Sequence, residues 1–301
     1  MSKELVIIIW GGIGDVLVST PAIRALKESY PDRKIIIYCG NRKQCDVFNN
    51  NPYVSSVRLL NPWKLLKYPY HLYVYLFNRK KIKYYQLFFQ YIPLSWIYEK
   101  SVKEIVPEIF RELNVVQRIN NVQLFFTESE ERWARKKLSA YSKVVIMHIH
   151  SRSSVNHHWL QDRWKELVKT LPDYTFIQIG NNDEPYVDGA LDWRGKTTLR
   201  EGFCLLKYAS SFVGVDSSFA HATNAFNLPG VVLFGDTSPV HWGHDNNINI
   251  YKKVRCGPCY YDLAPDKCPY DNECMKLITV EEVRDALMKQ VEAGQSIPVE
   301  I

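Results

Sequence analysis

Residues 212–234 read FVGVDSSFAHATNAFNLPGVVLF, which predicts one strand, one helix and a second strand. The runs 212–215 and 231–234 are short, apolar and rich in valine, as in parallel strands that are covered on both faces. The small and apolar residues between them, over 217–226, favour a helix. A strand, a crossover helix and a second strand form the repeating unit of a parallel sheet in an α/β fold.

The same alternation runs through the second half of the chain and opens the first half. Buried strands are predicted at 144–149 and 175–179, and helices at 164–171 and 199–209. At the N-terminus, the apolar run 5–10 precedes a glycine turn, a helical pattern and a further apolar run. We therefore expect an α/β protein, with a β-α-β unit at the start of the first half and a doubly wound parallel sheet in the second.

Length and composition agree with two domains. At roughly 150 residues per domain, 301 residues make two ordinary ones, and a hydrophobic content of 46% excludes a disordered chain. The boundary is expected in the charged, helix-forming stretch 127–142, which gives domains at 1–135 and 136–301, the second ending in an amphipathic helix at 279–292. No apolar run is long enough for a membrane span, and the N-terminal run lacks a cleavage pattern, so we expect a cytoplasmic protein.

The positive charge is concentrated in one stretch. The formal net charge is +6, and residues 61–100 hold seven Lys and Arg against one Glu, together with 13 of the 40 Phe, Trp and Tyr residues. Contact with an anionic or amphipathic partner, single-stranded nucleic acid and a tyrosine-rich core with a basic edge all fit this composition. Since no nucleic-acid motif accompanies it, we predict no nucleic-acid partner and favour an acceptor or a membrane surface.

A glycine turn follows the first predicted strand. Gly12 and Gly14 lie where glycines let a ligand approach the backbone and where the start of a helix favours anions. Asp15 is unusual there, because a carboxylate repels phosphate and suits a general base or a hydroxyl-binding group better. The alternative is that Asp15 only stabilises the positive end of the helix. Taken alone, the turn matches neither a dinucleotide fingerprint nor a P-loop.

A second turn follows the first strand quoted above. Asp216 can accept hydrogen bonds from sugar hydroxyls, while Ser217 and Ser218 offer hydroxyl and backbone N–H groups to a phosphate. His221 lies one turn further along the same helix face. The alternatives are that Ser217 is an ordinary N-cap and that His221 is a buried histidine with ordinary partners. Gly235 marks another glycine turn at the same sheet edge, where open α/β sheets bind ligands, so we predict a nucleotide site.

Four of the seven cysteines lie between residues 256 and 274. They are Cys256, Cys259, Cys268 and Cys274, opened by a C-x-x-C pair. Four thiolates at this spacing can close a tetrahedral site around zinc or iron, and a site with no open position is structural. Four free thiols or two disulfides are the alternatives, of which a reducing compartment disfavours the disulfides.

Three motifs together resemble glycosyltransferase family 9, the ADP-heptose:lipopolysaccharide heptosyltransferase-like enzymes. They are GGIGDVLVSTPAIRALKESYP at residues 11–31, RGKTTLREGFCLLKYASSFVGVDSSFAHATNAFNLPGVVLFGDTSP at 194–239, and the cysteine tail. The resemblance implies a GT-B fold, with two Rossmann-like domains facing across a cleft. It also implies an N-terminal domain that binds the acceptor, a C-terminal domain that binds a nucleotide-sugar, expected to be ADP-heptose, and inversion without a catalytic cofactor.

Roles for single residues follow from the resemblance. Asp15 corresponds to the general base that takes the proton of the acceptor hydroxyl. The family often carries a lysine before a Trp-Pro pair, where this chain has His157 and no proline after Trp159. Arg152 is expected to supply the missing cation, and a histidine pair in a loop is typical of a solvated surface. The residues expected at the donor are Gly12, Gly14, Arg152, His157, Asp216, Ser217, Ser218, His221 and Gly235.

The sequence thus predicts an inverting glycosyltransferase that moves a sugar from a nucleotide-diphosphate donor to a hydroxyl of a glycan or a lipopolysaccharide-type acceptor. By the resemblance, the sugar is a heptose. The alternative is a catalytically inactive protein of the same fold that binds a sugar-nucleotide or a glycan. Residues 61–100 are expected to face the acceptor or the inner surface of the membrane, as a peripheral contact.

Overall fold

Two parallel sheets organise the chain, one in each half. The structure is a computed structural model, and it describes residues 4–9, 11–59, 83–87, 115–260 and 268–295. The chain divides into two compact units, Met1–Phe126 and Thr127–Ile301. Among the described residues, no helix combines the length and the apolar character that crossing a bilayer requires.

The strands and helices are numbered in chain order. The strands are β1 (Glu4–Ile9), β2 (Lys34–Cys39), β3 (Ser56–Leu59), β4 (Lys83–Leu87), β5 (Val144–His148), β6 (Thr175–Gln178), β7 (Leu191–Asp192), β8 (Ser211–Val215), β9 (Gly230–Phe234) and β10 (Asn247–Tyr251). The helices are α1 (Ile13–Ser29), α2 (Arg42–Val47), α3 (Glu128–Leu138), α4 (Gln161–Thr170), α5 (Leu199–Leu206), α6 (Ser218–Thr223), α7 (Pro239–Trp242), α8 (Glu273–Lys276) and α9 (Val280–Gln295). Short 3₁₀ helices span Val155–His157 and Asn224–Phe226.

The N-terminal unit is built on a four-stranded parallel sheet in the order β3-β2-β1-β4. Its central strands are apolar because both faces are covered, and Leu5, Ile7, Ile35 and Ile37 are fully buried. The glycine turn comes directly after β1, so it lies at the carboxyl edge of this sheet. Of the basic stretch 61–100, only the backbone of β4 belongs to the described residues, and the predicted surface contact lies outside them.

Helix α1 continues through an internal proline. Pro21 has no N–H to donate to the Leu17 carbonyl one turn earlier, which normally breaks a helix. The buried Thr20 hydroxyl donates to that carbonyl at 2.6 Å and accepts a hydrogen bond from the Gln123 N–H at 2.8 Å. Thr20 therefore replaces the missing backbone bond and ties α1 to the segment that ends the unit.

The C-terminal unit has a six-stranded parallel sheet in the order β10-β9-β8-β5-β6-β7. The strand order reverses between β5 and β8, which is the arrangement of a doubly wound Rossmann sheet. Trp159 and Trp164 pack edge to face beside this sheet, 4.8 Å apart, and the Trp159 indole N–H donates to the Ile278 carbonyl at 3.0 Å. That bond fastens the chain after β5 to the segment that leads into α9.

The units divide nine residues earlier than the sequence-based boundary at 135/136, which falls within α3. Thr127 caps α3, and Glu130 and Glu131 form ion pairs with Arg200 and Lys207 around α5. These pairs make α3 part of the C-terminal unit. The sequence of a charged helix does not show which unit it packs against. The ion pairs of α3 with Arg200 and Lys207 place the division before this helix.

Candidate functional site

The glycine turn after β1 holds Asp15 in a fixed orientation. The Gly12 N–H donates to Asp15 Oδ2 at 2.5 Å, and the Gly11 carbonyl accepts from the buried Gln44 side chain at 2.7 Å. Gly11 has φ +117°, and a Cβ there would lie 2.4 Å from Asp15 Oδ2. Gly14 is the second residue of α1. The turn thus needs Gly11, and the Asp15 carboxylate accepts a hydrogen bond at the start of the helix.

Polar side chains of the C-terminal unit meet where β5, β8 and β9 end. Asp216 follows β8 and is buried, and its Oδ2 accepts from the Thr237 hydroxyl at 2.7 Å. His221 Nε2 lies 3.8 Å from Asp216 Oδ1, and His221 Nδ1 is 2.9 Å from His244 Nε2. Burial lowers the pKa of His221 despite the nearby Asp216 carboxylate, which leaves the imidazole neutral at physiological pH.

His157 and Asp236 form a buried ion pair at this edge. Their side chains are 3% and 2% exposed, and His157 Nε2 lies 2.6 Å from Asp236 Oδ1. His157 Nδ1 is 3.1 Å from the Asp216 carbonyl, and the Ser154 hydroxyl donates to Asp236 Oδ2 at 2.6 Å. Both ring nitrogens therefore face acceptors. The alternative that His157 lies on a solvated surface was wrong, because the Asp236 carboxylate contacts its ring and both side chains are buried. Asp236 is 79 positions away in the sequence, so the local pattern gave no sign of this contact.

The electrostatics of this pair favour the charged form of both partners. Burial alone would lower the pKa of His157, but the hydrogen bond and charge of Asp236 and the contacts with Asp216 raise it. Burial likewise would raise the pKa of Asp236, yet His157 and Ser154 lower it. An imidazolium paired with a carboxylate is a fixed dipole at the sheet edge, directly behind the Asp216 backbone.

The remaining expected residues have different surroundings. Arg152 is 63% exposed and binds the Asp183 carboxylate at 2.8 and 2.9 Å, so its described partner is an acid of the neighbouring loop. Gly235 has no room for a side chain, because a Cβ would lie 2.2 Å from the Asn156 carbonyl. Ser217 and Ser218 stand at the start of α6, which has only six residues. The Ser217 hydroxyl makes no capping bond.

Sequence reasoning missed three members of this cluster. Asp236 and Thr237 come just after the end of β9, as Asp216 comes just after β8. This position at a strand end could have identified them from the sequence. His148 ends β5, and its Nδ1 is 3.0 Å from the Ser217 hydroxyl. Nothing in the local sequence separates His148 from the apolar strand that it closes, so it carried no signal.

The four-cysteine segment is attached to the same edge. The N–H groups of Cys259 and Tyr260 both donate to the Asp236 carbonyl at 2.9 Å, and Cys268 Sγ accepts from the Asn272 N–H at 3.3 Å. Burial and the neighbouring acidic groups, including the other thiols, raise the pKa of Cys259 to about 12. Burial is also the main reason that the pKa of Cys274 rises to about 11.

A metal site is not formed by these thiols as they stand. All four cysteines belong to the described residues and carry free thiols. Their donor set suits zinc or iron. Within the described part of the chain, however, no group of three or more His, Cys, Asp or Glu side chains is arranged to hold a metal ion.

Comparison with known proteins points to one family. The sequence model of glycosyltransferase family 9 (heptosyltransferase) matches residues 107–267, more than half of the chain. A curated relative is lipopolysaccharide heptosyltransferase 3 of Escherichia coli strain K12. It is 23% identical over 292 residues, which cover 76% of this chain and 81% of that protein.

Two solved structures share the fold. Escherichia coli ADP-heptose lipopolysaccharide heptosyltransferase II is 16% identical with a TM-score of 0.71, covering 97% of this chain and 100% of that one. TibC of an enterotoxigenic Escherichia coli, an iron-containing dodecameric glycosyltransferase, is 16% identical with a TM-score of 0.69, covering 98% of this chain and 77% of that one. These similarities confirm the predicted fold class, a GT-B protein with two parallel α/β sheets.

Proposed function

Because the chain belongs to glycosyltransferase family 9, we propose that it transfers a heptose from ADP-heptose to a hydroxyl of a lipopolysaccharide-type acceptor, with inversion at the anomeric carbon. Glycosyl transfer is the activity of the family. The heptose, the ADP leaving group and the lipopolysaccharide acceptor are supported by the names of the two relatives from Escherichia coli. The acceptor-binding role of the N-terminal unit and the donor-binding role of the C-terminal unit belong to this proposal.

The observation that carries the donor site is the buried polar cluster at the carboxyl edge of the second sheet. Ligands of doubly wound folds bind at this edge, beside the point where the strand order reverses. Asp216 accepts from sugar hydroxyls in the proposed complex, and His221 and Ser218 lie within one turn of it. His157 acts from behind, by holding the Asp216 carbonyl. Arg152 reaches the diphosphate only by leaving Asp183.

The proposed reaction is a direct displacement with Asp15 as base. The Gly12 N–H stabilises negative charge on Asp15 Oδ2 and fixes the carboxylate plane, while the carboxylate takes the acceptor proton. The acceptor oxygen forms its bond to the anomeric carbon as the bond from that carbon to the diphosphate oxygen breaks. ADP leaves with the electron pair of that bond. Attack opposite the leaving group inverts the configuration, and no metal or cofactor takes part in the step.

Donor identity is tested by ligand-induced stabilisation. Wild-type protein is heated with ADP-heptose, GDP-mannose and UDP-glucose separately, because a ligand that binds only the folded state raises the apparent Tm. ADP-heptose should give the largest shift, and Asp216→Asn should reduce it. Asp188→Asn, which changes an exposed acid paired with Lys165, is the matched control. A larger shift with another sugar nucleotide would reject ADP-heptose as donor.

Inversion and the inactive alternative are tested together. NMR of the product reports the configuration of the new glycosidic bond, which should be opposite to that of ADP-heptose. Retained configuration would reject the displacement mechanism. Donor binding without turnover across a panel of lipopolysaccharide core acceptors would favour the sugar-nucleotide-binding protein instead. The peripheral membrane contact and the cytoplasmic location remain predictions of the sequence.

We also propose a structural metal for the four-cysteine segment. Support comes from the donor set of four cysteines within 19 residues and from the iron in TibC, a protein of the same fold. Elemental analysis of the protein purified without added metal should find about one zinc or iron per chain, and Cys259→Ser should remove it. Cys204→Ser, at a buried cysteine outside the segment, should not. Folded wild-type protein without bound metal would contradict the proposal.

A further inference from the structure

A buried histidine links a serine of the proposed donor site to a buried acid that the reaction does not use. His148 Nδ1 is 3.0 Å from the Ser217 hydroxyl, and His148 Nε2 faces Glu184 Oε2 at 3.9 Å. The Phe219 ring packs on His148, with 4.6 Å between the ring centroids. The side chains of His148 and Glu184 are almost completely buried.

Ser217 is at the N-cap of α6 but does not act as a cap. A serine at this position normally accepts a hydrogen bond from an N–H of the first helical turn. The Ser217 hydroxyl makes no such bond and instead contacts His148. Ser217 as a residue is partly buried.

The Glu184 carboxylate has one oxygen with a hydrogen-bond partner and one without. Asn181 donates its side-chain N–H to Glu184 Oε1 at 2.6 Å, and the Arg194 guanidinium donates to the Glu184 backbone carbonyl. Glu184 Oε2 has no hydrogen-bond partner among the described residues. His148 Nε2 faces this oxygen at 3.9 Å.

His148 is neutral, so only one ring nitrogen carries a proton. Burial is the main reason that its pKa falls to about 4, against an opposing effect of Glu184. A neutral imidazole donates from one nitrogen and accepts at the other. A proton on Nε2 points toward the negative Oε2, whereas a proton on Nδ1 leaves two lone pairs facing each other across 3.9 Å.

We infer that Glu184 and His148 form a relay that fixes the proton of Ser217. Glu184 holds the His148 proton on Nε2, His148 Nδ1 accepts the Ser217 hydroxyl proton, and Ser217 then presents only lone pairs to a ligand. Ser217 is therefore a specificity-determining residue that accepts from a sugar hydroxyl. It does not bind a phosphate oxygen, because the Ser217 proton is already donated to His148 and an ionised phosphate oxygen has no proton to donate to Ser217.

The assignment of Ser217 as an acceptor from a sugar hydroxyl rests on the proposed function, but the position of the proton on His148 does not. Nitrogen NMR of protein labelled in histidine reads directly which ring nitrogen of His148 is protonated, without any ligand. The signal is assigned by its contacts to the Phe219 ring and by its loss in His148→Gln. We expect a proton on Nε2 in wild-type protein and a mixture of tautomers in Glu184→Gln. A proton on Nδ1 in wild-type protein, or no change in Glu184→Gln, would overturn the relay.

The acceptor role of Ser217 is tested by titration calorimetry with two probes, ADP-heptose and inorganic pyrophosphate. Ser217→Ala should weaken ADP-heptose binding about threefold to tenfold, the effect of one hydrogen bond, and should leave binding of inorganic pyrophosphate unchanged. Ser217→Thr keeps the hydroxyl and should retain the affinity for ADP-heptose. Weaker pyrophosphate binding in Ser217→Ala would show that Ser217 donates to phosphate, and would overturn its assignment as an acceptor.

A double-mutant cycle separates the relay from a merely structural effect. Glu184→Gln should weaken ADP-heptose binding when Ser217 is present and have no further effect in Ser217→Ala, although Glu184 and Ser217 are linked only through His148. Asp188→Asn is the control in the same loop region and should change nothing. Additive losses would overturn the relay. If wild-type protein does not bind ADP-heptose while His148 carries its proton on Nε2, the proposed function fails and the relay stands.

Discussion

The buried pair of His157 and Asp236 gives the sharpest stability prediction. Asp236→Asn keeps the shape of the side chain and removes its charge. The change leaves the His157 imidazole beside the Asp216 carbonyl with no carboxylate partner. Because Asp236 also accepts from Ser154 and, through its carbonyl, from the cysteine segment, the pair connects several loops at the sheet edge.

The magnitude follows from the geometry. At 2.6 Å and an effective dielectric constant of about 20, two unit charges attract by about 6 kcal/mol. Removing both charges from water costs several kcal/mol per ion, so the net value of the pair is small. Removing one partner leaves the desolvated partner uncompensated, and Asp236→Asn should therefore lower the free energy of unfolding by about 3–5 kcal/mol.

The pH dependence has a definite sign. The pKa of His157 is raised from its ordinary 6.5, so its contribution is fully present below pH 6.5 and is lost as the pH rises through the folded-state value. The pKa of Asp236 is lowered from 3.8, so its contribution is present above that pH and is lost as the pH falls through the folded-state value. The difference between wild type and Asp236→Asn should thus be largest at about pH 4–6.5.

Urea unfolding of the full chain, followed by tryptophan fluorescence between pH 5 and 9, measures this difference. Asp188→Asn breaks an exposed pair with Lys165 and should hardly change the free energy of unfolding, because solvent screens such pairs. The double variant with His157→Gln and Asp236→Asn should be more stable than Asp236→Asn alone. A loss in Asp236→Asn no larger than that in Asp188→Asn, or one that grows as the pH rises, would refute the charged pair.

Two further predictions concern the N-terminal unit. Thr20→Val removes the hydroxyl that replaces the missing N–H of Pro21, and urea unfolding should show a loss of about 1–3 kcal/mol; Thr20→Ser should lose less, and equal losses would contradict the role of the hydroxyl. Gly11→Ala places a methyl group against Asp15 Oδ2 at a φ that alanine rarely adopts. The sugar-transfer rate of Gly11→Ala should fall at least tenfold, because the methyl group displaces the Asp15 carboxylate. An unchanged rate would show that the orientation of Asp15 is unimportant.

Local patterns were sufficient for most of the fold. The apolar runs predicted β1, β5, β6, β8 and β9 to within one residue at each end, because strands covered on both faces need continuous apolar sequence. Strand β10 was missed, since Asn247–Tyr251 alternates asparagine with apolar residues at the edge of the sheet. Edge strands have one partner and only partial cover, and their sequences are correspondingly less distinctive.

Members of the buried polar cluster were predictable where they follow a strand end, and unpredictable where their burial depends on distant contacts. Asp216 could be selected from the sequence because it comes directly after β8, and His221 because it lies on the helix that begins there. Asp236 follows β9 in the same way, next to the predicted Gly235. The burial of His157 depends on Asp236, and Glu184 lies in a polar loop whose partner His148 is 36 positions away.

Acceptor-dependent release of ADP, measured at saturating ADP-heptose for wild type and Asp15→Asn, tests directly whether this family 9 enzyme transfers a heptose from ADP-heptose with Asp15 as the base. We expect release by the wild type and a rate at least about 100-fold lower in Asp15→Asn, with an unchanged Kd for ADP-heptose. A variant that keeps the full rate at an unchanged Kd, or a wild type whose ADP release ignores the acceptor, would contradict it.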